Sequence, residues 1–184
     1  MGKMNLRGNT IPNCCECRSL VIRRILTVQK PYHYDVSGLK DVYLAGITVE
    51  YCPKCNTEAP VIPRIAELHA VIAKSLVDKP TLLTGEELRF LRKWAGFPAK
   101  QFAALLRIDA SHLSRVENGK TRHLGAPVDK LARAMAMAAI DKEFTKEILL
   151  HIAERMIQEK KGKRAGASRV PVFKLVSNRW NKAA

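Results

Sequence analysis

Between residues 19 and 51 the apolar positions come in short, β-branched runs. Ser19–Lys30 (SLVIRRILTVQK) and Val42–Tyr51 (VYLAGITVEY) each predict a strand, with Ser37-Gly38 as the turn between them. From residue 61 the rhythm changes. Ile65, Leu68, Ile72 and Leu76 recur at helical steps, so residues 61–78 predict a connecting helix that Pro80 ends.

The next stretch has helix boundaries written into it. Thr84 and Glu87 form a capping box, and Leu83 with Leu88 is placed as a hydrophobic staple. The helix they start runs through LRFLRKWA and stops at Gly96. Pro98 suits the first turn of the following helix, AKQFAALLR, which offers Phe102, Leu105 and Leu106 to a core. Ile108-Asp109 is the turn, Asp109 is the N-cap, and ASHLSRVEN is a third helix closed by Gly119. Short helices joined by a tight turn, the last one polar, describe a DNA-binding helix-turn-helix. Leu113 and Val116 should face inward, leaving Ser111, His112, Ser114 and Arg115 outward. An arginine on such a helix reads guanine through a bidentate pair. Lys100, Lys120 and Arg122 flank the helices as candidate phosphate contacts. The competing reading is an ordinary three-helix core with a solvated basic face.

After Pro127 a helix through LARAMAMAAI is apolar along one side, fit to complete the core or to form a dimer face. Asp141–Lys160 reads as another helix, with Phe144, Ile148, Ile152 and Met156 at four-residue steps. Lys160–Arg169 is a basic, glycine-containing stretch, and Val170–Val176 reads as a short strand or a docking peptide.

Cysteines add candidate chemistry. Cys14 and Cys17 form one C-x-x-C pair, Cys52 and Cys55 a second. Two such turns brought together make a tetrahedral set of four thiolates, which suits zinc. With all four positions closed, the expected role is one structural zinc ion per chain, supplying much of the folding free energy of a segment too short for a secure core. Free buried thiols and a redox pair are the other readings. Cys15 is spare, and His33 is a less suitable substitute ligand.

The chain has 184 residues, 47% hydrophobic but only 6% aromatic, which indicates a soluble protein with an aliphatic core. The absence of a long apolar run or signal-type N-terminus leads us to expect a cytoplasmic protein, nucleoid-associated when bound to DNA. Its net charge is +15, from 32 Lys and Arg against 17 Asp and Glu. Residues 161–184 carry seven basic and no acidic residues, and residues 84–139 carry ten basic and five acidic ones. A polyanion such as nucleic acid is the expected partner.

The order of these parts resembles a known family. LAGITVEYCPKC resembles the zinc-binding half of the MqsA (YgiT-type) antitoxins, and QFAALLRIDASHLSRVENGKT resembles the Xre/Cro-type helix-turn-helix that follows it there. The resemblance spans roughly residues 14–135. It implies an antitoxin that represses its own operon, dimerises through the helical half and binds a palindromic operator. It also implies that the N-terminal half holds zinc structurally and contacts a toxin, an RNA-cleaving enzyme. The family's base-reading Arg falls on Arg115. Its base-reading Asn falls on Ser111, which implies a different operator sequence. Its usual Gln is Ala99, its aromatic before the Glu is Val116, and the glycines of its turn are replaced by Arg107-Ile108-Asp109.

These observations predict an α+β protein: a small N-terminal β zinc-ribbon-like domain followed by an all-α helix-turn-helix domain. The expected units are residues 1–60, a linker helix at 61–80, the helix-turn-helix domain at 81–140, and a C-terminal helix and basic tail at 141–184. The expected function is sequence-specific repression of transcription by a homodimer, as the autoregulating antitoxin of a toxin–antitoxin operon. The alternatives are a module that mainly neutralises a partner toxin, a solitary Xre-type regulator, and a ribbon-type RNA-binding protein, which the low aromatic content disfavours. No enzymatic arrangement is expected, since the thiolate site is closed and neither a nucleophile–base constellation nor a phosphate-cradling glycine loop is present.

Overall fold

A computed structural model describes residues 13–140 and 171–183. The expected helix at Asp141–Lys160 and the basic stretch at Lys160–Arg169 lie outside the described residues.

The first half of the chain is β. Strands β1 (Ile22–Ile25), β4 (Thr48–Tyr51) and β5 (Glu58–Val61) form an antiparallel sheet in the order β1-β4-β5. Strands β2 (Tyr32–His33) and β3 (Tyr43–Ala45) begin a second sheet, and β6 (Val172–Val176) and β7 (Arg179–Lys182) complete it in the order β2-β3-β6-β7. The β3–β6 pair is parallel, with Leu44 opposite Phe173. The segment after Pro171 is therefore a strand, built into the sheet that residues 32–45 begin.

Val42–Tyr51, expected as one strand, is two strands in different sheets. Gly46 makes the break. It sits at φ +78°, where its N–H donates to the Leu26 carbonyl at 2.7 Å. A Cβ there would lie 2.6 Å from the Leu175 carbonyl oxygen, so the approach of β6 also requires glycine. The Ser37-Gly38 turn is present as a short 3₁₀ turn over Asp35–Ser37, with Gly38 left-handed at its end.

Five helices follow among the described residues: α1 (Ile65–Val77), α2 (Gly85–Trp94), α3 (Ala99–Leu105), α4 (Ala110–Glu117) and α5 (Ala126–Ile140). The connecting helix α1 buries Leu68, Ile72, Ala73, Leu76 and Val77, while Ile65, expected on that stripe, is exposed. It packs on β7, α2 and α5, so it sits between the two halves. The main apolar core among the described residues runs from Leu44, Ile47, Phe173 and Trp180 through Leu68 and Ile72 to Leu91, Phe102, Leu113 and Val116.

Polar contacts fix the same junction. Arg133, in a helix that reads as apolar, is buried and bonded to Asp129 at 2.7 Å. Its guanidinium also donates to the carbonyls of Leu76, Val77, Lys79 and Thr81. It thereby caps the end of α1, whose last carbonyls have no partner within the helix. Asp129 accepts the Leu83 N–H at 2.8 Å. His69 of α1 lies between the β-structure and α2. Its Nε2 is 2.9 Å from the Tyr34 hydroxyl, and its ring meets the edges or faces of Phe90 and Trp94 of α2.

Candidate metal centre and nucleic-acid interface

The two C-x-x-C segments fold into matching turns. In the first, the Cys14 carbonyl accepts from Arg18 N–H at 2.9 Å and Cys14 N–H donates to Ser19 O at 2.8 Å. In the second, the Cys52 carbonyl accepts from Asn56 N–H at 2.9 Å and Cys52 N–H donates to Thr57 O at 2.9 Å. Arg18 and Asn56 both have φ +58°. The sheet pairs β1 with β4, and Tyr51 opposite Ile22 brings the turns together.

All four Sγ atoms lie within 4.8 Å of one another. Cys14 and Cys55 are 3.5 Å apart at sulfur, and Cys17 and Cys52 are 3.4 Å apart. Zinc–thiolate bonds in a tetrahedron would place sulfurs about 3.8 Å apart. The donor set and its spacing therefore fit a four-coordinate, closed metal site. Cys15 is exposed and outside the cluster, and His33 instead bonds the Lys40 carbonyl at 2.7 Å.

Local donors favour thiolate at the second cysteine of each turn. The Ser19 hydroxyl and then its backbone N–H pull the Cys17 thiol down to about 6. The Thr57 hydroxyl, whose oxygen is 3.2 Å from Cys55 Sγ, and the Thr57 N–H lower Cys55 in the same way. Cys14 behaves oppositely. Backbone bonds from Cys17 and Glu16 lower it, but burial and the neighbouring Cys55 and Cys52 sulfurs prevail and hold it at about 12. A cysteine binds a metal as thiolate, so a bound cation would displace any thiol protons. Sequence reading missed Ser19 and Thr57. Their signal is a hydroxyl two residues after the second cysteine of each pair.

In the helical half, the Thr84–Glu87 capping box is present, with Thr84 N–H donating to Glu87 Oε2 at 2.8 Å and Glu87 N–H to Thr84 Oγ at 3.3 Å. Leu83 and Leu88 are both buried. Gly96 and Gly119 adopt the left-handed conformation at the ends of α2 and α4. Two expectations fail. Asp109 occupies the N-cap of α4, but its side chain accepts no capping bond. Leu105 is 48% exposed, because α3 ends there and the chain turns Leu106 into the core instead.

Leu113 and Val116 are buried, which fixes the rotation of α4. Ser111, Ser114 and Arg115 are then exposed and His112 is partly so. Lys100, Lys120 and Arg122 are exposed as well. Three contacts brace α4 from behind. Arg92 holds Glu117 through a buried pair of hydrogen bonds, Nε donating to Oε1 at 2.6 Å and Nη2 to Oε2 at 2.9 Å. Gly85 lets α2 meet the back of α4: a Cβ there would lie 1.9 Å from the Val116 carbonyl oxygen. Arg89 reaches Asn118, whose amide donates to the Ser114 carbonyl at 2.8 Å and lies 3.3 Å from its hydroxyl. Ser114 is therefore partly engaged at the end of its own helix, whereas the Arg115 side chain has no partner among the described residues. Sequence reading missed the bracing by Arg89, Arg92 and Gly85, which depends on how α2 lies across α4.

Among the described residues no helix is long and apolar enough to cross a membrane. The chain matches no curated protein and no solved structure. Residues 84–141 match a family described as a helix-turn-helix domain, beginning at the N-cap of α2 and covering α2 to α5. The match spans under a third of the chain. The chain thus carries a helix-turn-helix domain on an α+β fold, and that domain supports its assignment as a DNA-binding regulator.

Proposed function

We propose that this protein is a sequence-specific transcriptional repressor that binds a palindromic operator as a homodimer and regulates its own operon as an antitoxin. The observation that supports this reading is the outer face of α4. It presents Ser111 and Arg115 to solvent while Leu113 and Val116 anchor the helix. In the major groove Arg115 would donate two bonds to one guanine, and Ser111 would donate to or accept from a neighbouring base edge. His112 and Ser114 would line the same groove. Lys100, Lys120 and Arg122 would neutralise phosphates and set the register. Bound across a promoter, the dimer would exclude polymerase.

Zinc in the Cys14, Cys17, Cys52 and Cys55 set would act structurally, joining the two turns at the end of the β1-β4-β5 sheet. That sheet also favours a second reading, in which the N-terminal module chiefly masks a partner protein. Its edge strand β1 exposes Ile22 at 50% and Ile25 at 73%. Footprinting on the upstream region of the protein's own gene tests the repressor reading. Two protected half-sites centred about one helical turn apart, roughly 10 base pairs, are expected. No protected site would shift the weight to the masking reading.

A further inference from the structure

Six described non-glycine residues have positive φ, and five of them belong to a tight turn or have a partner within the fold. Arg18 and Asn56 occupy equivalent places in the two cysteine turns. Ser177 and Asn178 form the two-residue turn between β6 and β7, which demands this geometry. Arg64 binds the Asn178 carbonyl at 2.8 Å and Glu67 at 2.6 Å. The sixth is Arg107, at φ +56° in the turn between α3 and α4.

The turn dictates that conformation. Arg107 N–H donates to Ala104 O at 3.1 Å and Ile108 N–H to Ala103 O at 3.0 Å, and Leu106 is turned into the core. Glycine would fit without strain, since a Cβ is what disfavours the left-handed region. The chain has instead the side chain with the longest reach of positive charge. It is exposed, and among the described residues its guanidinium has no partner, neither Asp109, two residues on, nor another carboxylate. Strain kept at an exposed position without a compensating contact points to a contact made outside the chain.

Position supplies the partner. Arg107 stands three residues before Ala110, the first residue of α4, the end of a recognition helix that enters the groove. Lys100 is exposed at the other end of α3, the helix that crosses the sugar-phosphate backbone in this motif. We propose that Arg107 is a phosphate-binding residue, gripping the DNA backbone at the lip of the major groove where the turn passes it. The proposal rests on the DNA-binding reading above and adds a contact at a position where strain alone would select glycine. Such a contact strengthens binding to every sequence and carries no base preference.

The test uses the full-length, zinc-loaded protein with Arg107→Gly, Arg107→Asn and Arg107→Lys. Each is measured on a duplex from its own upstream region and on a scrambled duplex, across a range of salt, with parallel thermal melts. Arg107→Gly should melt about 2–4 °C higher, because the strain is relieved. It should bind both duplexes about 3–10-fold more weakly at physiological salt, with the log–log salt slope reduced by about 0.9 per bound chain. Arg107→Asn should match Arg107→Gly in binding, and Arg107→Lys should keep the slope. Unchanged affinity and slope in Arg107→Gly would overturn the proposal alone. Wild-type protein that binds neither duplex would remove the DNA-binding reading together with it.

Discussion

At the scale of single residues, two side chains carry distinct expectations. Arg115 is exposed and its side chain is unpaired among the described residues, so Arg115→Ala should leave the fold intact. It should cost about 1–3 kcal/mol on the preferred site and little on scrambled DNA. An equal loss on both would make Arg115 a phosphate contact. His69 is held neutral: burial against Tyr34, Phe90 and Trp94 lowers its pKa below the usual histidine value. The unfolded chain therefore binds the proton more readily. His69 contributes its stability above about pH 6.5 and loses it as pH falls through the lower folded value. Melting temperature should decline from pH 7 to pH 5, and His69→Gln should decline less. A parallel decline in His69→Gln would contradict this account. The cysteine set was legible because each pair is a local motif with fixed spacing. Arg133 was not, since nothing local distinguishes a buried arginine from a solvated one; the carbonyls it bonds lie more than fifty residues away.

At the scale of elements, the helices whose ends carry caps were readable. Thr84, Glu87, Gly96 and Gly119 act through neighbours within a turn, and α2 to α4 lie where those residues place them. The strands were less readable because their limits depend on remote partners. Gly46 splits β3 from β4 partly because the Leu175 carbonyl, far along the chain, presses against it. β5 contains Pro60 and gives little strand signal, yet it occupies an edge, where proline is tolerated. The contact between α2 and α4 yields a sharp prediction. Gly85→Ala puts a methyl group against the Val116 backbone, so the two helices must part. Stability should fall by about 1–3 kcal/mol, and DNA binding should weaken because α4 is displaced. Chemical denaturation and duplex titration of this variant check both, and wild-type stability would show that α2 does not seat α4. Arg133→Met should cost more, about 3–5 kcal/mol, by leaving Asp129 buried without its partner.

For the whole molecule, the structure narrows what a metal can do. The sequence suggested that zinc sustains most of the first 55 residues. Much of that segment is instead anchored elsewhere: Tyr34, Leu39, Val42, Leu44 and Ile47 join the main core with α1 and with Phe173 and Trp180. Among the described residues of that segment only Cys14, Val21 and Cys52, with Cys17 beside them, form a separate cluster. That difference arose because the β6–β7 hairpin pairs with β3 across more than a hundred residues, and no local pattern announces such a partner. Chelation should therefore release the cysteine turns and loosen β1, while the β2-β3-β6-β7 sheet, α1 and the helix-turn-helix remain folded. Hydrogen exchange after zinc removal reads this residue by residue. Loss of protection throughout residues 27–47 would contradict it, and so would full retention at Cys14 and Cys52.

The central claim is that α4 reads a DNA sequence. Its most direct test is the affinity of the full-length, zinc-loaded protein for its own upstream region against a scrambled duplex at physiological salt. A preference of about a thousandfold or more is the expected result. Equal affinity for the two duplexes would mean that the positive charge attracts DNA without reading it, and would contradict the account.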